Sequence, residues 1–243
     1  MPEEHSTSDN LILNAMPVEE YERLLPHLEF VTLPLGETLY KSGDVIEHVY
    51  FPGNALISLV THMKGGVMVE VGVIGRDGMV GIPILLGDDI AFEEAIVQIA
   101  GGAMRMRSNV LKDILKRGHS PLLTRLLLYT RILMKQVAQT AACNRLHTVE
   151  ERLSRWLLMC CDRMEADELH LTQQFISGLL GIRSTEVYGA TRHLQTEGLI
   201  RYSQDEISIV NRKGLEEFAC ECYQIVKGTD GLQSQPNSSQ AVA

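Results

Sequence analysis

The chain has 243 residues, of which 45% are hydrophobic and 22% charged, and its formal net charge is −9. This composition is typical of globular proteins and excludes collagen-like and intrinsically disordered chains. The sequence has no run of about 18 apolar residues, so neither a membrane-spanning helix nor a membrane partner is expected. The acidic, polar N-terminus lacks the pattern of a secretory signal, which predicts a cytoplasmic protein.

The charge is distributed unevenly along the chain. Residues 1–118 carry 9 Lys and Arg against 17 Asp and Glu, whereas residues 119–243 carry 13 against 14. The second part is therefore almost neutral, as expected if only that part meets a polyanion.

The first 110 residues alternate short β-branched or aromatic runs with turns that contain glycine. A helix is expected near Val18–Leu25, directly after Pro17 and with acidic residues in its first turn. Gly101-Gly102 is interpreted as one of the turns. Strands at this spacing predict a β-barrel or sandwich. The predicted strands are Val31–Leu33, Thr38–Tyr40, Val49–Phe51, Ala55–Val60, Val67–Val73 and Ile96–Ile99.

From Pro121 the apolar spacing becomes helical and predicts a long helix to about Ala142. One stripe has coiled-coil-like spacing and comprises Leu126, Tyr129, Leu133, Gln136, Thr140 and Cys143. One face of the helix could pack on its own barrel and the other on a second copy of the chain, and the first five residues of this stripe are the predicted dimer interface. A neighbouring stripe comprises Leu123, Leu127, Met134, Val137 and Ala141. Periodicity alone leaves open a dimerisation helix and an ordinary core helix that is buried on two sides. Another helix is expected over Val149–Met164, followed by a polar linker.

The next segment has the pattern of a helix-turn-helix. Thr172 is expected to cap a helix over Gln173–Leu180, Gly181 supplies the left-handed turn residue, and Ser184 is expected to cap a second helix to about Thr196. A generic helical hairpin would not need the small residue, the glycine and the apolar sites in register. The structural positions are Thr172, Ile176, Ser177, Leu180, Gly181, Ile182, Val187 and Ala190.

Two strands and a helix are expected after the second helix. Leu199–Tyr202 and Ile207–Val210 would form a two-stranded wing, and Gly214–Val226 a last helix. The exposed positions of the second helix are candidate contacts to DNA, because a helix fits the major groove. They are Arg183, Ser184, Thr185, Tyr188, Gly189 and Arg192. Arg192 and the wing residues Arg201 and Tyr202 are better placed for phosphate, although Arg192 and Arg201 also fit a solubilising surface.

The sequence offers no recognisable enzyme site and no metal site. It lacks G-x-S-x-G, P-loop, dinucleotide-binding and H-E-x-x-H motifs, so an enzyme is not expected. All five cysteines lie at or after Cys143 and are interpreted as free thiols. No four Cys and His residues have the spacing of a zinc site. Cys220-x-Cys222 is the only suggestive pair, and a structural or incidental role is favoured for it.

A barrel, a long helix and a winged helix in this order resemble the Crp/Fnr family of bacterial transcription regulators. The motifs that carry the resemblance are Val49–Pro52, Val69–Gly75, Asp77–Gly81, Ala141–Asn144, Glu151–Leu158 and Gly198–Tyr202. The resemblance implies an α+β fold with an N-terminal double-stranded β-helix (jelly-roll-like) barrel. It also implies a homodimer joined through the long helix, a palindromic operator in double-stranded DNA and contact with RNA polymerase.

The same resemblance divides residues 10–227 into three parts. These are a cyclic-nucleotide-binding-like barrel over 10–119, a connecting and dimerisation helix over 120–143 and a winged helix-turn-helix over 144–227. The composition of residues 228–243 predicts a disordered tail.

The sensor part departs from the relatives that bind cyclic nucleotides. Those relatives carry a Gly-Glu-Leu turn and, about ten residues later, an arginine for the cyclic phosphate. Here the turn is Gly81-Ile82-Pro83, and Glu93 and Glu94 stand where the arginine is expected, so their charges would repel a phosphate. Cyclic nucleotide is therefore not expected.

Other cofactors of the family are judged from the cysteines and histidines. An iron–sulfur cluster held by N-terminal cysteines is excluded, because no cysteine precedes Cys143. A haem on His48, His62 or another histidine, or a different small effector, remains open.

Two functions follow from this sequence. The first is a DNA-binding transcription regulator whose barrel senses an unknown ligand or organises the dimer. The second is a protein-interaction module with a vestigial winged helix, which the net acidity favours. Better-known relatives carry charged readers where Ser184, Thr185 and Gly189 stand here, so the operator sequence is not inferable.

Overall fold

The computed structural model of the protein describes residues 9–116 and 120–227. The predicted disordered tail, 228–243, lies outside the described residues. Within them, no helix has both the length and the apolar character required to cross a bilayer.

The N-terminal part is a barrel of two antiparallel sheets preceded by short helices. Strand order is β1-β7-β3 in one sheet and β2-β6-β4-β5 in the other. The helices are α1 (Leu11–Asn14), α2 (Val18–Leu24), a 3-10 turn (Leu25–His27), α3 (Ile82–Leu86) and α4 (Ser108–Lys116). The strands are β1 (Glu29–Leu33), β2 (Thr38–Tyr40), β3 (His48–Pro52), β4 (Leu56–His62), β5 (Met68–Ile74), β6 (Glu94–Ile99) and β7 (Gly101–Arg107).

Strand β7 corrects the interpretation of Gly101-Gly102 as a turn. Both glycines pair with β1, and β7 is the central strand of its sheet. A Cβ atom on Gly101 would lie 2.4 Å from the backbone oxygen of Asn54, so the glycine is required by close backbone approach. The six strands predicted from the sequence are all present, with ends that differ by a few residues.

Two long helices follow the barrel. Helix α5 spans Pro121–Leu146, four residues beyond the predicted end, and at 1.5 Å per residue its 26 residues reach about 39 Å. Helix α6 spans Val149–Met164 as predicted. Its start is fixed by a capping box in which Glu151 accepts a hydrogen bond from the Thr148 backbone and Thr148 Oγ1 accepts one from the Glu151 backbone.

The C-terminal part is a winged helix-turn-helix. It comprises β8 (Glu168–His170), α7 (Gln173–Leu180), α8 (Ser184–Thr196), β9 (Ile200–Ser203), β10 (Glu206–Ile209), α9 (Arg212–Phe218) and α10 (Cys222–Lys227). Strand β8 was not expected, because its residues resemble a polar linker, and the wing sheet has the order β8-β10-β9. The predicted last helix is interrupted at 219–221, which separates α9 from α10.

The barrel and the winged helix share part of their core. One cluster of buried side chains joins the barrel strands to α5. A second cluster contains Leu56, Val60 and Val73 of the barrel together with buried residues of α6, α7 and α8. The winged helix is therefore packed directly against β4 and β5.

Candidate nucleic-acid interface

The turn between α7 and α8 is built as the sequence predicts. Thr172 Oγ1 accepts a hydrogen bond from the Phe175 backbone at 3.1 Å and caps α7. Gly181 has φ +63°, the left-handed conformation that ends α7. A Cβ atom on Gly181 would also lie 2.9 Å from Val69 of β5, so packing against the barrel disfavours any larger residue.

Ser177 fixes the angle between the two helices. The Ser177 hydroxyl donates to the Ile182 carbonyl at 2.6 Å, and Ser184 Oγ lies 3.3 Å from Ser177 Oγ. Ile176, Leu180, Val187 and Ala190 of the predicted set are buried, and Ile182 is half-buried. The helix-turn-helix positions are thus brought together.

Helix α8 presents its predicted contact positions to solvent. Val187, Ala190 and Leu194 anchor it in the core. Its outer face consists of exposed residues, namely Arg183, Ser184, Thr185, Tyr188, Gly189 and Arg192. A Cβ atom on Gly189 would meet no described atom within 4 Å, so the middle of this face is open.

The start of α8 differs from the prediction in its cap. Arg183, not Ser184, is the N-cap residue, and Glu186 accepts a hydrogen bond from the Arg183 backbone at 2.9 Å. Glu186 also pairs with the Arg183 guanidinium, with 3.1 Å between Oε2 and Nε. This hydrogen bond lowers the pKa of Glu186 and raises that of Arg183. The first basic side chain of α8 is therefore held by an acidic neighbour on the same turn.

The two wing residues behave differently. Arg201 lies exposed on β9, as the phosphate interpretation requires. Tyr202 is half-buried, and its hydroxyl donates to Asp205 Oδ1 at 3.0 Å within the wing. Gln204 and Asp205 have positive φ in the tight turn beside this contact, and the contact of Tyr202 with phosphate stays a prediction.

The predicted seam of α5 faces its own protomer, and this part of the prediction was wrong. Leu126, Tyr129 and Leu133 are buried together with barrel residues. A helix that packs on its own barrel has the same apolar spacing as a coiled-coil seam. Gln136 accepts from Arg163 at 2.8 Å and donates to the Val73 carbonyl, and half-buried Thr140 contacts Arg155. In the neighbouring stripe Leu123 is half-buried, and the exposed residues are Leu127, Met134, Val137 and Ala141.

The five predicted sensor-pocket residues are all buried. Gly81 has φ +105° and precedes Ile82 and Pro83 at the start of α3. Glu94 accepts from Thr38 at 2.9 Å and is paired with His62. Burial raises the pKa of Glu93 to about 7, so its repulsion of a phosphate is weaker than its sequence position suggests.

The long helix closes the barrel next to this turn. A Cβ atom on Gly78 would lie 2.3 Å from the Tyr129 hydroxyl, so Tyr129 packs directly onto the loop before α3. The hydroxyls of Tyr40 and Tyr129 and Oε2 of Glu93 are also buried.

Comparison with known proteins agrees with this architecture. Residues 151–218 match the family model of the Crp-like helix-turn-helix domain. No curated protein matches the chain.

Solved structures share the fold over most of the chain. FixK2 from Bradyrhizobium japonicum has 16% identity and a TM-score of 0.68, and the match covers 79% of this chain and 98% of FixK2. The c-di-GMP responsive global regulator CLP of Xanthomonas campestris has 16% identity and a TM-score of 0.65, covering 79% and 99%. A CRP/FNR family regulator from Thermus thermophilus has 18% identity and a TM-score of 0.64, covering 79% and 98%. The chain therefore has the fold of the Crp/Fnr transcription regulators, and its residues 151–218 form a Crp-like helix-turn-helix domain.

Proposed function

We propose that the protein is a sequence-specific, DNA-binding transcription regulator that acts as a homodimer. The observation that carries this proposal is the exposed outer face of α8, whose side chains include Arg183, Thr185 and Arg192, on a helix anchored by buried apolar residues. Such a helix fits the major groove, where arginine bridges guanine acceptors and hydroxyl side chains contact several bases.

Selection of genomic fragments with the purified protein tests the proposal. We expect one enriched palindrome, which binds more weakly as salt rises because counterions are released. Arg183→Ala should lower affinity for that palindrome by about 1–3 kcal/mol, the usual range for one bidentate base contact. Lys41→Ala, which removes an exposed charge from the barrel, serves as the control and should leave binding unchanged.

A selection without any enriched motif would contradict the regulator proposal. It would favour a protein-interaction module with a vestigial winged helix. The Arg183–Glu186 pair is the feature that fits this second function, because it removes free positive charge from the outer face.

The exposed stripe of α5 is the proposed dimer interface. Leu127, Met134 and Val137 are 51%, 68% and 37% exposed on a helix whose other side is buried in the barrel. Two copies that pack through this stripe would bury it and would place two α8 helices on a two-fold-related operator. Apolar stripes of this kind mark interaction surfaces.

Analytical ultracentrifugation of Met134→Glu tests the interface. We expect the wild-type chain to sediment as a dimer, and the variant as a monomer at the same concentration, because two carboxylates would meet in an apolar seam. Met63→Glu changes a methionine that is 58% exposed outside the stripe and should remain dimeric. Equal sedimentation of both variants would contradict this interface.

The effector of the barrel is proposed to be something other than a cyclic nucleotide. The supporting residues are Glu93 and Glu94, which stand where relatives carry an arginine for the phosphate. An effector would act by binding one of two arrangements of α5 more tightly, which would change the positions of the α8 helices. Contact with RNA polymerase belongs to the same proposal.

A further inference from the structure

Four potential metal ligands meet where the long helix ends. Cys143 lies in the last turn of α5 and His147 directly follows that helix. Cys220 and Cys222 come from the interruption between α9 and α10 and from the first residue of α10. One ligand atom from each residue, three Sγ atoms and one imidazole nitrogen, lies within 4.8 Å of all the others.

Local structure explains why these side chains converge. The His147 backbone donates to the Cys143 carbonyl at 3.1 Å, which places the two residues one helical turn apart on the same side. Ala219 is extended, with φ −66° and ψ 150°, and ends α9, after which the Tyr223 backbone bonds the Cys220 carbonyl. The cluster could not be predicted from the spacing of cysteines and histidines in the sequence, because Cys143 and Cys220 are 77 residues apart.

Two separations within the cluster are those expected around one tetrahedral ion. Cys143 Sγ lies 3.5 Å from Cys220 Sγ, and Cys222 Sγ lies 3.5 Å from His147 Nδ1. Metal–sulfur bonds of about 2.3 Å and metal–nitrogen bonds of about 2.0–2.1 Å at tetrahedral angles place such ligand atoms about 3.5–3.8 Å apart.

The surrounding side chains resemble the outer shell of a metal site. The other imidazole nitrogen of His147, Nε2, lies 3.2 Å from the Glu221 carboxylate. A metal-bound histidine commonly donates its second N–H to a carboxylate, which fixes the ring and its tautomer. Gln139 Nε2 donates to Cys222 Sγ at 3.0 Å, which adds a polar contact around one of the four ligand atoms.

A buried positive charge, that of Arg155, lies near the cluster. Arg155 is 3% exposed, and its guanidinium contacts Thr140 Oγ1 and Met159 Sδ. Among the described residues Arg155 forms no ion pair within 4 Å, although its charge acts on the buried Glu70 carboxyl. A buried guanidinium is costly unless nearby negative charge compensates it. Three thiolates around a divalent ion carry a net charge of −1, which would balance Arg155.

We propose that Cys143, His147, Cys220 and Cys222 bind one Zn²⁺ ion that fastens the C-terminal end of the winged helix to the end of α5. Three thiolates and an imidazole are a ligand set that Zn²⁺ prefers. The protein supplies all four ligands, so the site is structural and leaves no position for a substrate. Binding releases the three thiol protons to solvent, and the imidazole binds in its neutral form.

The site is tested on the full-length protein, purified under reducing conditions and stripped with a chelator. Added Zn²⁺ should bind at one ion per chain. Added Co²⁺ should give the visible absorption of a tetrahedral ion together with thiolate-to-cobalt charge transfer. Both signals should be lost in Cys222→Ser and retained in Cys161→Ser, which changes a buried cysteine outside the cluster.

A second variant leaves all four ligands in place, so that its effect on Zn²⁺ binding can be measured even if the ligand variants misfold. Glu221→Gln changes a side chain that is 71% exposed and that contacts His147 without supplying a ligand. We expect its Zn²⁺ dissociation constant to rise by about 10–100-fold, the usual effect of removing an outer-shell partner.

Four results would overturn the proposal. These are no uptake of Zn²⁺ by the stripped protein, equal Co²⁺ spectra in Cys222→Ser and wild type, iron with acid-labile sulfide in the purified protein, and a Cys143–Cys220 disulfide that persists under reducing conditions. An unchanged Zn²⁺ dissociation constant in Glu221→Gln would contradict the role of that carboxylate.

Discussion

The outer face of α8 combines its first basic side chain with a carboxylate three residues later. Arg183 is 82% exposed in its side chain, yet Glu186 holds it at 3.1 Å. Glu186 also bonds the Arg183 backbone and so supports the start of the helix. One residue therefore stabilises α8 and at the same time reduces the positive charge that would meet DNA.

Glu186→Gln should raise affinity for the selected palindrome several-fold. Gln can still accept the backbone hydrogen bond of the capping box, while the variant frees Arg183 and removes a negative charge that would face phosphates. Fluorescence anisotropy at two salt concentrations measures the effect, with Glu19→Gln on exposed α2 as the control. Unchanged binding would contradict the claim that Glu186 weakens the contact of Arg183 with DNA. Weaker binding would show that Glu186 itself contributes to base recognition, for example by accepting from cytosine.

Residue-scale prediction from the sequence succeeded where local geometry decides the outcome. The exposure of Ser184, Thr185 and Arg192 follows from the register that Gly181 and the apolar residues set. The partners of individual side chains were not predictable in the same way. Tyr202 bonds Asp205 because of the conformation of the wing turn, which the sequence alone does not specify.

At the scale of elements, two glycines with similar backbone conformations allow strain and packing to be separated. Gly181 has φ +63° and lies against Val69, whereas Gly198 has φ +68° and a Cβ atom there would meet no described atom within 4 Å. The positive φ disfavours any residue with a Cβ atom at both positions, but only at Gly181 would that Cβ atom also collide with a neighbouring side chain.

Gly198→Ala should lower the free energy of unfolding by about 1–2 kcal/mol, the cost of a left-handed alanine. Gly181→Ala should cost more, because its Cβ would meet Val69 Cγ2 at 2.9 Å. Urea denaturation measures both. In a chain that already carries Val69→Ala, Gly181→Ala should lower the free energy of unfolding by about as much as Gly198→Ala does. If instead the effects of Gly181→Ala and Val69→Ala simply add, the packing argument is contradicted.

Element prediction was limited wherever a pattern has two physical explanations. The glycines of β7 resemble a turn, although close approach to Asn54 is their actual cause. The stripe that contains Leu126 and Leu133 has the spacing of a dimer seam, but the same spacing fits a helix packed on its own barrel. Helices α6 and α7 were predicted with their observed ends because capping residues and apolar spacing agree there.

At the scale of the whole molecule, a buried polar cluster joins the barrel to the winged helix. Glu70 of β5 accepts a hydrogen bond from Trp156 Nε1 of α6 at 2.8 Å. Ser58 Oγ lies 2.6 Å from Glu70 and 2.8 Å from Gln98 Oε1. Since a hydroxyl has one proton, a protonated Glu70 that donates to Ser58 satisfies both contacts. Such pairings between domains are not visible in a sequence, where Glu70 resembles one of many polar strand residues.

Burial raises the pKa of Glu70 to about 7, above its ordinary value near 4.5, so the native state retains this proton when the unfolded chain has lost it. Its contribution to stability is therefore complete below about pH 4.5 and is lost as the pH rises towards 7. Glu93 shifts in the same direction, so wild type and variants share part of this trend.

Glu70→Gln separates the contribution of Glu70 to the pH dependence of stability from that of Glu93. Urea denaturation between pH 4.5 and 8 should show wild type losing more stability than Glu70→Gln, by an amount on the order of a few kcal/mol. The amide cannot ionise and still accepts from Trp156. Glu19→Gln, at an exposed position of α2, should follow the wild-type curve. If the curves of wild type and Glu70→Gln run parallel, Glu70 is already ionised in the native state, and the contact between β5 and α6 holds a buried charge instead of a shared proton.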